Sequence, residues 1–269
     1  MHHSPRESDQ RRGAMTNHSL LTRFKAGDTE EVWEELRRLG PAVRQPPHFE
    51  PAMLVCQEMM TRCRHNLTLL FRRLYGLGYE FLSMRTGQLF RLTERMANHP
   101  WESSANWQLP APNTAAILQA AEQEGTPVPL VVRVWMETIG YVSLIGRHPI
   151  LCPCYTEWKH PAVYADPFVV EPSPQEVGGV YHDEPGNFLI SPADREKSEV
   201  LLDGGVDYTY ALDLPGASVD AKMRGPWYDA TFVQYVRKNF EWGGFPGWER
   251  YPERPEKELA FLREGLLPI

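Results

Sequence analysis

The stretch AMLVCQEMMTRCRHNLTLLFRRLY, residues 52–75, carries the strongest periodic signal in this chain. Its apolar residues recur at alternating spacings of three and four, which places them on one stripe of an α-helix. The stripe consists of Met53, Cys56, Met60, Cys63, Leu67, Leu70 and Leu74. Gly76 and Gly78 follow the stretch, as is typical of a helix end. We therefore expect a long helix with one face in a core.

A shorter helix is expected on the N-terminal side of this stretch. Asp28 followed by Glu31 resembles a capping box, and the helix should end near Gly40-Pro41. Residues 1–14 (MHHSPRESDQRRGA) are polar and have no apolar segment typical of a secretory signal. They are predicted to be a disordered tail.

Further helices and strands are expected on the C-terminal side. The helices should cover residues 88–97, 113–124, 127–138, about 229–240 and 255–263, and the strands 79–82, 141–145, 168–170, 180–182, 188–190 and 208–212. There is no strict alternation of strand and helix, so the pattern predicts an α+β class. N-terminal helices should precede a mixed or antiparallel sheet that has helices packed on one side, and C-terminal helices should follow. A helical N-terminal layer at 15–112 and an α+β domain at 113–269 should form one compact unit.

Composition and charge narrow the class of protein. Hydrophobic residues at 42% and charged residues at 23% are typical of a globular chain. A net charge of −7 disfavours a nucleic-acid binder and is compatible with a basic protein partner. No stretch approaches the roughly 20 apolar residues that cross a bilayer. Four cysteines are too few for a secreted disulfide framework, so we expect a cytoplasmic protein. No cofactor is expected.

One group of residues could bind a metal. Cys152, Cys154 and His160 supply thiolate and imidazole groups, which are the ligands that zinc prefers. Their spacing is not that of a usual zinc knuckle. Cys56 and Cys63 could complete a set, but they lie on the apolar stripe, where free cysteine behaves as a small hydrophobe. No metal site is expected, and a metal-dependent enzyme that uses these residues remains an alternative.

Another group of residues contains the materials for acid–base catalysis. His182 stands next to Asp183 and Glu184, so an imidazole adjoins two carboxylates. Consecutive strand residues face opposite sides of a sheet, and Pro185-Gly186 indicates a turn. A solvated hairpin tip is therefore favoured, and no catalytic residue is expected. An acid–base enzyme using His182 and Asp183 remains an alternative.

The segment WGGFPGW, residues 242–248, is the most unusual local sequence. Three glycines permit close backbone approach and three aromatic side chains offer a large contact area. A tight corner with its aromatics packed on the sheet is favoured over a binding rim. If the chain has a binding site here, its candidates are Trp242, Phe245, Trp248 and two aspartates of the 203–207 turn, Asp203 and Asp207.

A basic cluster lies in the second half of the predicted long helix. Its members are Arg62, Arg64, His65, Arg72 and Arg73. The apolar stripe of the same helix is expected in the core, so these side chains are interpreted as a solvated or salt-bridged face and not as a nucleic-acid contact.

Two segments resemble a known family. Residues 129–140 (PLVVRVWMETIG) lead directly into a strand and resemble the entry motif of the SUKH superfamily, and residues 232–236 (FVQYV) resemble its terminal helix. The resemblance covers at most 113–264. Residues 242–248, with the ending EGLLPI at 264–269, also resemble uncharacterised bacterial proteins of similar length. Many SUKH members are immunity proteins of bacterial toxin systems, and the family has no shared catalytic residues.

This resemblance implies a non-catalytic protein-binding module, such as an immunity protein that neutralises a bacterial toxin. The acidic charge would suit a basic toxin, because opposite potentials accelerate encounter. Two alternatives stay open beside it. One is an enzyme, either the metal-dependent or the acid–base enzyme described above. The other is a structural or oligomerisation protein that uses the 53–74 stripe as a dimer seam.

Overall fold

The computed structural model describes residues 20–83, 85–103, 105–153, 163–172, 187–194, 197, 208–225 and 230–269. Within them the helices are α1 (20–26), α2 (Thr29–Arg38), α3 (Phe49–Gly76), α4 (Glu94–Asn98), α5 (Pro100–Ser103), α6 (Thr114–Gln123), α7 (Leu130–Thr138), α8 (Phe232–Glu241) and α9 (Glu256–Arg263). Short 3-10 helices cover Gly40–Arg44 and Pro246–Arg250. Helices and separate antiparallel strands confirm the α+β class.

The strands form small sheets. They are β1 (Glu80–Ser83), β2 (Gln88–Arg91), β3 (Trp107–Gln108), β4 (Tyr141–Ser143), β5 (Gly146–Arg147), β6 (Val169–Val170), β7 (Asn187–Pro192), β8 (Tyr208–Asp213) and β9 (Met223–Arg224). In the described part of the chain they pair antiparallel in three sheets, ordered β2-β1-β5, β3-β4-β6 and β7-β8-β9, where the sequence suggested one sheet. A hydrogen bond of 2.8 Å from the Glu171 N–H to the Ile190 carbonyl connects the second sheet to the third.

The long helix α3 lies at the centre of the core, as its periodicity predicts. Six of the seven stripe residues are buried, and Met53 is partly buried. The same helix contacts α7, α4 and α9 within one chain. The proposed dimer seam is therefore wrong, because the stripe is already covered by the chain's own helices.

The segment 88–97 differs from its prediction as one helix. Gln88–Arg91 is the strand β2, which pairs residue by residue with β1, and only Glu94–Asn98 is helical. Between the two strands, the Gly87 N–H donates to the Ser83 carbonyl at 2.8 Å. The helix starts later because the Thr93 hydroxyl accepts the Met96 N–H at 3.3 Å and caps it. Cross-strand pairing overrides local helix propensity here.

Asp220 connects the first and last parts of the fold. Its carboxylate accepts the Val233 N–H at 3.2 Å near the start of α8 and the Arg37 Nε at 3.1 Å from α2. Burial raises the pKa of Asp220, although the hydrogen bonds and the charge of Arg37 oppose that rise. A carboxylate at the start of a helix also suits the positive end of the helix dipole.

Residues 266–269 lie along α3 and have no secondary structure of their own. The fully buried Asn66 donates its Nδ2 to the Leu267 carbonyl at 2.9 Å and accepts the Leu267 N–H at 2.7 Å. Arg62 Nη1 donates to the Pro268 carbonyl at 2.8 Å. Two side chains of α3 thus satisfy the backbone of a segment that lacks helix or strand partners.

One large hydrophobic cluster runs from Leu20 to Ile269. It includes side chains from both predicted layers, 15–112 and 113–269. The first layer is not helical throughout, since β1, β2 and β3 lie inside it. No described helix combines the length and the apolar character that membrane crossing requires.

Candidate functional site

Buried ionisable side chains join three separated parts of the chain. Lys197 Nζ donates to Asp166 Oδ1 at 2.6 Å, and the two side chains are 0% and 2% exposed. The Tyr210 hydroxyl donates to the other oxygen, Asp166 Oδ2. Lys197 Nζ also lies 4.8 Å from the centre of the Tyr210 ring. We call Asp166, Lys197 and Tyr210 the buried ionic cluster.

Local backbone structure positions each member of the buried ionic cluster. Asp166 has a φ of 50°, a left-handed conformation that aspartate adopts more often than most residues, and it precedes β6. Lys197 follows β7, and its N–H donates to the Ala193 carbonyl at 3.0 Å. Tyr210 is on β8. The cluster therefore fixes the position of two strands of the third sheet relative to the start of β6.

The charge state of Lys197 determines what this cluster can do. Burial has the largest influence and would lower its pKa, but the charge of Asp166 and their hydrogen bond outweigh it, so the pKa is raised. A protonated ammonium group has no lone pair and cannot act as a nucleophile. As it stands, the arrangement is a buried ion pair that connects parts of the fold.

Asp194 extends the buried charges towards the surface. It accepts a hydrogen bond from Arg250, whose Nη2 also donates to the Tyr164 carbonyl at 3.0 Å. Burial, reinforced by the negative charge of Asp166, raises the pKa of Asp194 to about 6. The Asp194 carboxyl group therefore loses its proton at a higher pH than an ordinary aspartate does.

The residues proposed for zinc are only partly described. Cys152 is buried and its backbone forms a β-bridge with His148, while Cys154 and His160 lie outside the described residues. Cys56 and Cys63 are fully buried, and burial raises the pKa of both thiols, as expected for small core residues. Among the residues that the structure describes, no three His, Cys, Asp or Glu side chains are placed to hold a metal ion.

Four other predicted site residues also lie outside the described part of the chain. They are His182, Asp183, Asp203 and Asp207. The acid–base alternative and the two aspartates of the predicted binding site therefore stay predictions.

The aromatic residues of the WGGFPGW segment point into the core. Trp242, Phe245 and Trp248 are 7%, 0% and 5% exposed. The reason is the close approach of Gly247 to the chain ahead of β6, where a Cβ would lie 2.2 Å from the Tyr164 carbonyl oxygen. The prediction that these three aromatics form a binding rim is wrong. The segment is the tight corner that its sequence favoured over a binding rim.

A basic surface with aromatic members covers the second half of α3 and the adjoining helices α4 and α5. We call it the arginine–aromatic surface, and it consists of Arg64, His65, Arg72, Tyr75, Arg95, His99 and Trp101. The four members on α3 lie on one side of the helix, next to its core face. Helix α4 contacts α3 and contains Arg95. His99 directly follows α4, and Trp101 lies on α5. Tyr75 is 40% exposed.

Trp101 holds Arg64 in place on this surface. The Arg64 guanidinium lies 5.1 Å from the centre of the Trp101 ring, within the range of a cation–π interaction. The His99 ring meets Trp101 edge-on at 5.8 Å. Trp101 itself is partly exposed and rests at 5.5 Å on the buried Trp107. A partly exposed cation thus lies on an aromatic ring that packs against the core.

Arg72 is held in a similar way. Its Nε donates to Asn98 Oδ1 on α4 at 3.0 Å. Within the described residues, no carboxylate lies at ion-pair distance from Arg64 or Arg72. Arg95 is 80% exposed, and its nearest carboxylate, Glu102, is 3.6 Å away. The surface therefore presents positive charge that its own chain neutralises only in part.

The basic residues of α3 separate into two groups. Arg62 is buried, pairs with Glu58 at 3.0 Å and stacks on Phe24, so it is structural. Arg73 donates to the Leu262 carbonyl at 2.9 Å on α9. Arg64 and Arg72 remain on the arginine–aromatic surface. Sequence reasoning treated all of them as one solvated or salt-bridged face and did not foresee α4 and α5 beside it.

A signal for this surface is present in the sequence. Residues 61–102 contain seven arginines, three glutamates and no lysine, in a chain whose net charge is −7. Local charge of the opposite sign to the whole indicates a surface with its own role. In comparisons with protein-family models, with curated proteins and with solved structures, no match to this chain was found.

Proposed function

We propose that this chain is a protein-binding module that contacts its partner through the arginine–aromatic surface. The observation that carries the proposal is that the partly exposed Arg64 and the exposed Arg72 lie beside Trp101 and Tyr75, and that no carboxylate of the described residues is at ion-pair distance from either arginine. Tryptophan, tyrosine and arginine dominate the residues that supply binding energy at protein interfaces. Lysine is depleted there, and residues 61–102 contain none.

The fixed positions of these side chains also support binding. Trp101 and Asn98 hold the two guanidinium groups in one place before a partner arrives. Ordering a long side chain at an interface costs about 0.5–1.5 kcal/mol, so a side chain that is already held loses less on binding. A surface of merely solvated arginines would have no such supports.

The SUKH resemblance of residues 129–140 and 232–236 supports the same class of function, because many SUKH proteins are immunity proteins. An immunity role is the finer form of the proposal. The sequence suggested a basic toxin from the overall charge of −7, but the arginine–aromatic surface is positive. A toxin bound here would offer an acidic contact region.

The experiment compares two charge-reversed variants of the whole chain. Arg64→Glu/Arg72→Glu changes the surface, and Arg38→Glu/Lys222→Glu changes two exposed cations elsewhere by the same charge. Each protein is used as bait in source-cell extract, and recovered proteins are quantified by mass spectrometry. We expect a partner that wild type and control retain and the surface variant loses.

The recovered partner is then purified and titrated by calorimetry. Its Kd should rise by about tenfold or more for the surface variant, which corresponds to about 1.4 kcal/mol. Circular dichroism must show the same fold for all three proteins. A partner that binds the surface variant as tightly as wild type would contradict the proposal.

A further inference from the structure

The arginine–aromatic surface has a charge opposite to that of the rest of the molecule. Its members include three arginines and no acidic side chain, a formal charge of +3 in a chain whose net charge is −7. Clefts and surfaces with one sign of charge attract partners of the other sign and speed their encounter. The partner of this surface is therefore expected to be acidic where it touches.

The spacing of the two supported arginines limits the partner further. Arg64 and Arg72 are eight residues apart on α3, which is about 12 Å at 1.5 Å per residue. An extended chain advances about 3.3 Å per residue, so carboxylates four positions apart are about 13 Å from each other. An extended acidic segment could therefore reach both guanidinium groups.

Aromatic side chains accompany both cations. Trp101 lies beneath Arg64, and Tyr75 lies one helical turn beyond Arg72 on the same side of α3. Both rings are partly open to solvent and can receive an apolar or aromatic side chain of a partner. Offset or edge-on aromatic pairs contribute about 0.5–1.5 kcal/mol beyond the area they bury.

We infer that the arginine–aromatic surface binds an acidic segment of a partner protein that also carries aromatic residues. Carboxylates of the segment pair with Arg64 and Arg72, and an aromatic side chain packs on Trp101. The inference rests on the proposed function and adds the chemistry of the partner. Planar guanidinium groups suit carboxylates because they donate two parallel hydrogen bonds.

A nucleic acid is the rival polyanion, and two observations disfavour it. A long strand would extend past this small positive surface onto a molecule that is otherwise acidic. Lysine, a common phosphate contact, is absent from 61–102. A short acidic protein segment can end within the surface and avoids both problems.

The test uses three fluorescently labelled probes and the whole chain. The probes are a random copolymer of glutamate and tyrosine, poly-glutamate, and single-stranded oligothymidine, each followed by fluorescence anisotropy at low salt. We expect the copolymer to bind most tightly, poly-glutamate less tightly and oligothymidine least. Binding should weaken as salt is added, because exposed charges are screened.

Variants link the binding to the surface. Arg64→Glu/Arg72→Glu should weaken copolymer binding by about tenfold or more, and Arg38→Glu/Lys222→Glu should leave it unchanged. Trp101→Phe keeps an aromatic ring and should still bind the copolymer more tightly than poly-glutamate. Trp101→Ala should bind the two polymers with similar affinity. If Trp101→Ala does not fold, Trp101→Leu tests the same advantage.

Three outcomes overturn the inference. They are no binding of either acidic polymer, equal binding by wild type and the surface variant, and tighter binding of oligothymidine, which would assign the surface to nucleic acid. If the acidic polymers fail while the surface variant still loses a protein partner from extract, only the partner chemistry is wrong. If the variant keeps every partner, the proposed function is wrong as well.

Discussion

A buried ammonium group stays charged only while a counter-ion lies next to it, and Lys197 depends on Asp166 in this way. Lys197→Met should destabilise the protein by about 3–5 kcal/mol, because it leaves the Asp166 carboxylate buried without its cation. Urea denaturation measures the change in the free energy of unfolding.

The control for this variant removes both charges. Adding Asp166→Asn to Lys197→Met should recover part of the lost stability, since a buried pair can often be replaced by neutral residues at little cost. Asparagine is chosen because it also tolerates the φ of 50° at this position. A double variant no more stable than Lys197→Met alone would show that the ion pair is not the cause.

The raised pKa of Asp194 predicts that the stability of the folded protein depends on pH. Its pKa is raised from 3.8 to about 6, so the folded protein holds a proton there that the unfolded chain releases. Stability from this group is full below about pH 4 and is lost as the pH rises to about 6, by roughly 2 kcal/mol. In Asp194→Asn this loss should disappear. Urea unfolding of wild type and Asp194→Asn between pH 4 and about 6 measures the loss of stability in each protein. Contributions from other carboxyl groups are present in both proteins and cancel when the two losses are subtracted.

Gly247 shows how a single position determines the shape of an element. Gly247→Ala should destabilise the protein by more than about 2 kcal/mol, because a Cβ would meet the Tyr164 carbonyl at 2.2 Å in tightly packed backbone. Gly76→Ala is the matched control, since a Cβ there has no neighbour within 4 Å. It should be neutral or slightly stabilising, because alanine is favoured in helices. Similar melting temperatures for the two variants would contradict this account.

The elements that sequence reasoning placed correctly are those with a strong local pattern. The stripe of α3 and the helix predicted at 127–138, which is α7 in the structure, each depend on a pattern within a few turns of chain. Strand β2 was missed because its pairing with β1 outweighs the helix propensity of 88–97. Asp28 does begin α2, but its side chain accepts Arg23 Nε at 2.6 Å and makes no capping hydrogen bond to the backbone of α2.

The candidate site was predicted less well than the fold, for a physical reason. The exposure of Arg72 follows from its place opposite the stripe, so sequence could suggest it. The contact of Arg64 with Trp101 depends on how α5 packs against α3, which no local pattern contains. The aromatics at 242–248 were named as site candidates because of their size, and size predicts burial as well as binding.

At the scale of the whole molecule, stability and proposed binding belong to different residues. The core and the buried ionic cluster hold the fold, while Arg64 and Arg72 lie outside the core and, among the described residues, form no ion pair. Exposed substitutions away from such features usually change stability by about 0.5 kcal/mol or less. Loss of a partner by Arg64→Glu/Arg72→Glu can therefore be read as loss of contact and not of folding.

The docking of residues 266–269 on α3 affects how the molecule opens. Segments without helix or strand usually fray independently of the core. Here, detaching Leu267 from α3 would break both hydrogen bonds of the buried Asn66 amide. Each buried polar group left without a partner costs about 1–3 kcal/mol. Detachment is thus coupled to loosening of the longest helix, and this coil segment belongs to the same cooperative unit as the interior.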